Sequence, residues 1–214
     1  MKGIRFGNYH SYNDFSLILS SKTIGTPSPK TEEIDIPGGD GVLDLTEFFG
    51  EVKYSNRELS FEFSTIVPQD EFMDLFTKVQ NALHGQKMQI VLDDDAEWAY
   101  FGRITVSEWK AEKSIGKLTI DCDCEPYKYR LTDTTLTRAV NNATTQITLT
   151  NSGRKRVVPI ITTDAEMKIA FTGYSGTFSA GTFRIPELVL PEGKTIVKVT
   201  GTGNITFVYR EGVL

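Results

Sequence analysis

The sequence contains few of the residue types from which enzymes build active sites and metal centres. Its 214 residues include two histidines and two cysteines, which indicates neither a disulfide framework nor a metal site with several ligands. No stretch approaches the roughly 18 apolar residues that a membrane-spanning helix needs. The opening residues have neither the apolar core nor the cleavage site of a secretory signal. We therefore expect a protein with no membrane partner that folds in a reducing compartment.

Each histidine and cysteine is best explained as a structural residue. His84 directly precedes Gly85 at the predicted end of a helix, where an imidazole can interact with exposed carbonyl groups. His10 has no neighbouring ligand at the spacing of a metal site. Cys122 and Cys124 are two residues apart and lie on the same apolar face of a predicted strand, which is typical of core thiols. We predict no catalytic, cofactor-binding or metal-ligating residue, no cofactor and no enzymatic activity.

Two further motifs resemble ligand sites but lack the residues that would complete them. Asp93, Asp94 and Asp95 form an acidic run, but a calcium-binding loop needs alternating ligands, a central glycine and a distal glutamate. A solvated hairpin turn is therefore the favoured interpretation. The segment PGGDG lacks the Gly-Lys-Ser/Thr end of a phosphate-binding loop. Its glycines instead predict a sharp turn or a wide loop, because glycine readily adopts positive φ.

Hydrophobic periodicity predicts a mainly β protein with one helix. Alternation in RELSFEFSTIV and GKLTIDCDC predicts strands with one buried face. In ITVSEW the same period places Ile104 and Val106 on one face and Trp109 on the other. The segment QDEFMDLFTKVQNALHGQK has apolar residues at helical spacing, which predicts a helix that packs on a sheet. These apolar residues are Phe72, Leu75, Phe76, Val79 and Leu83.

A strand-terminating proline and a change in charge balance divide the chain into two predicted domains. Strand pairing is expected to stop at Pro126, because proline has no N–H to donate. Residues 1–130 contain 14 basic and 22 acidic side chains, whereas residues 131–214 contain 9 and 6. Short strand candidates, ELVLPEG among them, recur after Arg130 at a spacing of about ten residues, which suits a small β-sandwich or jelly roll. Among them, VTGTGNITF is predicted to form a hairpin. We therefore predict a β-sandwich or split-barrel domain with one helix over residues 1–130, and a β-sandwich over residues 131–214.

Five segments in the same order resemble the distal tail protein family of long-tailed bacteriophages and prophages. They are the turn in IDIPGGDGVLDLTEFFG, the strand in YSNRELSFEF, the helix in DEFMDLFTKVQNALHG, the acidic hairpin before FGRITVSEW, and the closing strand GKLTIDCDCEPYKY. This resemblance covers about residues 1–130. The segments NSGRKRVVPIITT and NITFVYREGVL are similar to the galectin-like β-sandwich found at the C-terminus of such proteins.

The resemblance implies a structural role in a virion rather than catalysis. Members of the family form a homo-hexameric ring between the tail tube protein and the tail-associated tip protein. The first domain surrounds a channel through which DNA passes without specific binding. The second projects as a platform for baseplate or receptor-binding proteins. The implied location is the virion tail tip, after assembly in the cytoplasm of the bacterial host. A carbohydrate-binding lectin or adhesin is the alternative function.

Three features bear on this role, and each has a second interpretation. The segment TIGTPSPKTEEIDIPGGDG could be an arm that lies across a neighbouring subunit or a mobile surface loop. The acidic excess of residues 1–130 suits a conduit for DNA, since like charges repel, but it also promotes solubility. The segment FTGYSGTFSAGTF could present aromatic side chains on the second domain. We favour protein docking there over recognition of a cell-wall saccharide.

Overall fold

The computed structural model describes residues 2–48, 50–65, 67–112 and 115–214. The helices in these ranges are α1 (Ser11–Phe15) and α2 (Phe72–Leu83), with 3-10 turns at Gln69–Glu71 and Asp93–Asp95. The strands, in chain order, are β1 (Ile4–Phe6), β2 (Tyr9–His10), β3 (Ile18–Ile24), β4 (Glu33–Asp35), β5 (Val42–Asp44), β6 (Arg57–Thr65), β7 (Lys87–Leu92), β8 (Trp98–Glu112), β9 (Ile115–Cys124), β10 (Lys128–Arg130), β11 (Thr134–Asn141), β12 (Thr145–Asn151), β13 (Ile160–Thr163), β14 (Met167–Phe171), β15 (Tyr174–Phe178), β16 (Gly181–Arg184), β17 (Gly193–Tyr209) and β18 (Gly212–Val213). The predicted fold class, mainly β with one well-marked helix, is confirmed.

Contacts divide the chain into two compact units. The first runs to Lys128 and also includes Leu214, and the second comprises Tyr129–Val213. Each unit has its own cluster of buried apolar side chains. Two separate cores are what a chain of this length produces when no single sheet collects all its apolar residues.

The first unit contains an antiparallel sheet in the order β2-β1-β7-β8-β9-β6-β3. Its strands alternate as the sequence predicts. In β6 the side chains of Leu59, Phe61 and Phe63 are buried, whereas Glu58 and Glu62 between them are exposed. Successive side chains of a strand point to opposite faces, so one face of this sheet forms the core.

The sheet of the first unit curls so that its apolar face covers itself. The Phe6 ring on β1 lies 6.0 Å from Phe61 and 6.4 Å from Phe63, both on β6. Strands β1 and β6 are not hydrogen-bonded neighbours, because β7, β8 and β9 lie between them in the sheet. The edge-to-face rings therefore meet across the core, which fits the split-barrel class predicted for this domain.

Helix α2 confirms the helix predicted from apolar spacing. Phe72, Val79 and Leu83 are buried, and Leu75 and Phe76 are half-buried against the same core. Helix α1 is a single additional turn that the apolar spacing did not reveal.

The predicted orientation of Trp109 is wrong. The register of β8 against β9 shifts between Val106 and Glu108, so a β-bulge adds one residue and inverts the alternation beyond it. Trp109 therefore turns to the core side, where its ring lies 5.8 Å from Phe72 and is stacked 5.4 Å from Phe76. The bulge lets one tryptophan cover the inward face of α2.

Two sheets of the second unit share one long strand. The first half of β17 pairs with β12 and β14, and β15 extends that sheet beyond β14. The second half of β17 pairs with β11 and β13, and β16 extends that sheet beyond β13. The two halves supply inward side chains such as Val197, Val199, Ile205 and Phe207 to one core. This arrangement is a β-sandwich whose sheets are joined by a strand that changes sheet.

The hairpin predicted for VTGTGNITF is therefore wrong. The chain continues in one direction through Gly201 and Gly203, which have φ of 154° and 139°. These values are accessible to glycine and strained for other residues. The glycines allow the bend between sheets, not the reversal that a hairpin would require. The segment ELVLPEG also contains no extended strand, and instead makes an isolated bridge between Val157 and Leu190.

A substitution at this bend tests its role. A Cβ on Gly203 would overlap Asp164 Oδ1, which accepts the Asn204 N–H at 2.7 Å. We expect Gly203→Ala to lower the free energy of unfolding by about 2–4 kcal/mol, because backbone strain adds to a lost hydrogen bond. Gly181→Ala is the matched control, since Gly181 has φ of 151° with nothing within 4 Å of the added Cβ. Urea denaturation would measure both; equal losses would contradict a specific role for the bend.

Candidate interaction surfaces

An exposed hairpin, here called the arm (residues 31–51), extends from the first unit. Its strands β4 and β5 pair with Ile34 opposite Leu43, and form a two-stranded sheet of their own. Gly38 and Gly41 have φ of 77° and 79°, which confirms the turn predicted for PGGDG. The backbone of the arm is thus ordered by its own pairing. Phe49 lies outside the described residues.

The arm exposes several large apolar side chains to solvent. Phe48 is 73% exposed, the highest value among the large exposed apolar side chains of the described chain. The arm also has seven acidic and no basic residues. An exposed apolar cluster of this kind marks a site of interaction with another molecule. The other large apolar side chains at least two-fifths exposed in the arm are Ile34, Ile36, Val42 and Leu43.

A paired stem holds the arm where it leaves the unit. The Lys30 N–H donates to the Lys53 carbonyl at 2.8 Å, and the Ser55 N–H donates to the Ser28 carbonyl at 2.9 Å. The two strands of the stem therefore leave and return side by side. This arrangement is less typical of the mobile loop than of the arm that the sequence also allowed.

Strand β3 forms an open edge of the sheet in the first unit. Among the described strands it pairs with β6 alone. From Ser20 to Ile24 its side chains are exposed on both faces. An edge strand presents unpaired N–H and C=O groups to which another chain can add. This edge and the arm follow one another along the chain.

His10 is a helix cap rather than a metal ligand. Its Nδ1 accepts the N–H groups of Tyr12 and Asn13 at 3.2 Å, and its own N–H donates to Asp14 Oδ2 at 2.6 Å. Its Nε2 lies 3.0 Å from Asp93 Oδ2. Because Nδ1 acts as an acceptor, the ring proton belongs on Nε2 and points to Asp93. The cap fixes α1 at the start of the chain.

The acidic run at the β7–β8 turn is not simply a solvated turn. Asp93 accepts the Gly3 N–H at 2.7 Å, Asp94 pairs with Lys22, and Asp95 lies 2.5 Å from Lys128. The carboxylates thus bind three different parts of the first unit. Burial favours the neutral form of Asp93, but the bonds from Gly3 and His10 outweigh it and hold the pKa of Asp93 below its ordinary value.

The remaining histidine and the cysteines also have structural roles. The His84 backbone N–H donates to the Gln80 carbonyl of α2 at 2.9 Å, but the imidazole does not interact with the helix carbonyls as predicted, because the backbone is extended at His84. Its Nδ1 accepts the Val106 N–H at 3.1 Å instead, next to the bulge in β8. Cys122 and Cys124 are buried as predicted. Burial raises the pKa of both thiols, that of Cys124 to about 12, so neither is a reactive thiolate at neutral pH.

The aromatic segment of the second unit runs from the β14–β15 hairpin into β16, and its rings stack in two pairs. Phe171 and Tyr174 stack at 4.9 Å, and Phe178 and Phe183 stack at 4.5 Å. All four side chains are half-buried against the core of that unit. A saccharide platform needs an exposed ring face. The rings here instead stack on one another and pack against the core of the second unit.

No group of three His, Cys, Asp or Glu side chains in the described ranges is arranged to hold a metal ion. No helix in those ranges has the length and apolar character needed to cross a membrane.

Comparison with known proteins identifies a fold shared over the whole chain. No family model and no curated protein matches the sequence. The structure is similar to the crystal structure of Dit (gp 19.1) from phage SPP1, described as a paradigm of the hub adsorption apparatus in phages that infect Gram-positive bacteria. The TM-score is 0.71 at 16% identity, covering 98% of this chain and 99% of that one. The chain therefore has a Dit-like fold.

The Asp93 contacts predict a pH dependence of stability. A carboxyl group whose pKa is lowered by folding stabilises the protein above its ordinary pKa, and this contribution is lost as the pH falls through the folded value. We expect Asp93→Asn to be less stable than wild type by about 1 kcal/mol at pH 7, with the difference shrinking below about pH 4. Thermal unfolding between pH 7 and pH 3 measures it. Asp40→Asn, in the exposed arm, is the control; a difference that is the same at every pH would contradict the prediction.

The ring stacking predicts that Tyr174 contributes to packing. Tyr174→Ala should lower the free energy of unfolding by about 1–3 kcal/mol, since a half-buried aromatic pair is lost. Thr177→Ala, on the opposite face of the same strand, should change it by less than about 0.5 kcal/mol. Chemical denaturation measures both. If Tyr174→Ala left stability unchanged but abolished retention on bacterial cell walls, the ring would be a saccharide platform.

Proposed function

We propose that this protein is a structural hub of a phage tail tip. In this proposal six copies form a ring that joins the tail tube protein to the tail-associated tip protein, and DNA passes through the central channel. The observation that carries the proposal is the Dit-like fold over 98% of the chain, together with an arm that exposes apolar side chains. The protein would be non-enzymatic and located at the virion tail tip, after assembly in the host cytoplasm.

The first unit is proposed to form the ring. Closed rings need two different complementary surfaces on each subunit, so that each copy binds the next in the same way. The arm supplies one such surface, with Ile34 opposite Leu43 on a protruding hairpin. The open edge β3 supplies further unpaired backbone groups. Burying the exposed arm side chains of each copy against its neighbour would favour the closed ring.

The charge of the first unit suits passage of a polyanion. Residues 1–130 have eight more acidic than basic side chains. A wall of like charge keeps DNA from adhering while it moves. The β6–β9 ladder places Glu58 directly opposite Asp123 on the outer face. Two adjacent carboxylates repel one another, and Arg103, which lies opposite Asp123 in β8, can offset part of that repulsion.

The second unit is proposed to be a galectin-like domain that projects from the ring and docks other tail proteins. Its aromatic rings stack on one another, which favours docking of a receptor-binding or baseplate protein over binding of a cell-wall saccharide. The same packing weighs against the alternative of a stand-alone lectin or adhesin.

Assembly in solution tests the proposal. We expect light scattering to give the mass of a hexamer and negative-stain microscopy to show rings. Ile34→Asp combined with Leu43→Asp should weaken assembly by at least about tenfold, because charges replace apolar contacts. The unfolding midpoint of the variant should stay near that of wild type, since both positions are exposed.

The control is Val189→Asp with Ile196→Asp, which alters two exposed apolar residues of the second unit. Equal assembly of the arm variant and this control would contradict the role of the arm. A wild-type chain that stays monomeric and binds glycans would instead support the lectin alternative.

A further inference from the structure

Arg57 is a cation whose side chain is almost fully buried. It is the first residue of β6, and its side chain turns to the core side with 6% of its surface exposed. Its Nε is buried and has no hydrogen-bond acceptor among the described residues. A guanidinium keeps its charge at every pH that proteins experience. An unpaired buried charge is costly, so a side chain held in this way needs an explanation.

The described residues around Arg57 leave room for its guanidinium but provide no hydrogen-bond acceptor for its Nε. Cys124 is its partner in the β6–β9 ladder, and Gly102 follows in the next strand. Gly102 has no space for a Cβ, which would overlap Cys124 Sγ. The guanidinium carbon lies 5.5 Å from the centre of the Tyr100 ring. A cation over an aromatic face is stabilised in part, but no negative charge is supplied.

A second cation acts on the same tyrosine. Burial raises the pKa of Tyr100, and the positive charges of Lys128 and Arg57 oppose that rise. Lys128 lies 2.5 Å from Asp95 and 5.6 Å from the centre of the Trp98 ring. Asp95 is thus already bound by a lysine. The acceptor cluster is defined as Arg57, Tyr100, Lys128 and Trp98, and it places two cations, one of them paired with Asp95, against two aromatic rings.

We propose that Arg57 receives a carboxylate from the arm of a second copy of this chain. This inference rests on the proposed ring and names its charged contact. The arm has the complementary chemistry, since it carries seven acidic and no basic residues and exposes aliphatic side chains. A carboxylate can accept two parallel hydrogen bonds from a guanidinium, the strongest pairing open to Arg57. The aliphatic side chains of the arm would pack on the rings beside it.

The proposed contact explains why the residue at position 57 is arginine and why its side chain is held in place. Burial between Tyr100 and the strand backbone fixes the guanidinium before association, so little side-chain freedom is lost on binding. In the separate chain the Arg57 Nε has no hydrogen-bond acceptor among the described residues. Association then replaces an unfavourable burial with a paired one, which couples docking of the arm to completion of the acceptor cluster.

The test compares Arg57→Met with wild type in the full-length chain. Methionine keeps an unbranched side chain but removes the charge and the donors. We expect the concentration for half-assembly to rise at least about tenfold, because a buried charge pair is lost. The unfolding midpoint of the unassembled chain should be unchanged or higher, since an unpaired charge has been removed. Arg57→Lys, which keeps the charge without the planar fork, should fall between the two. Arg138→Met, at an exposed strand position, is the control.

Neutralising the arm identifies the anion. Replacing its seven carboxylates with amides should weaken assembly, and adding Arg57→Met to that variant should weaken it no further. Additive effects would show that the anion comes from elsewhere and would overturn the proposal. Equal assembly of Arg57→Met and wild type would overturn it while leaving the hub intact, and a destabilised unassembled Arg57→Met chain would mean a purely structural arginine. A wild-type chain that never self-associates would end both proposals.

Discussion

The first unit depends on burial of the apolar face of a sheet that has little helix to cover it. Strands β6, β8 and β9 all have one apolar face, and α2 covers only part of it. Leaving the remainder in water would forfeit about 25 cal/mol for every Å² of apolar surface. The sheet therefore curls until Phe6 meets Phe61 and Phe63. The bulge before Trp109 adds to this burial by turning the indole to the core side against α2.

The second unit meets the same requirement with a different device. It has no helix in the described residues, so two sheets must cover each other. Strand β17 belongs to both of them, and Gly201 and Gly203 provide the backbone freedom where it crosses. The stacked pair Phe178 and Phe183 joins the outer strands β15 and β16. Because one strand serves two sheets, a local change at the bend should reach the whole core of this unit.

Periodic patterns in the sequence predict much of this fold, because they record which faces are buried. Helix α2, the alternation in β6 and the buried cysteines follow from periods of 3.6 and 2. Trp109 does not, because a bulge depends on pairing with β9 and leaves no period of its own. The continuity of β17 is hidden for a related reason, since a Gly-Thr-Gly segment suits a turn and a bend equally well. The role of His10 is hidden in the sequence because histidine is an uncommon helix cap. Its second contact, with Asp93, joins residues 83 positions apart and leaves no local pattern.

Two features of the first unit have opposite charge and are both incompletely satisfied in a single chain. The arm holds seven acids and exposed apolar residues on a paired stem, and pairing of β4 with β5 orders its backbone. Arg57 has a fixed, buried position and no acceptor for its Nε among the described residues. Selection for the stability of one chain alone would favour removal of both, since an apolar residue in place of an unpaired buried charge is usually neutral or stabilising. Their joint presence is better explained if folding and assembly are optimised together. A subunit that keeps its charges unpaired until a neighbour arrives remains soluble alone and gains specificity when the contact forms.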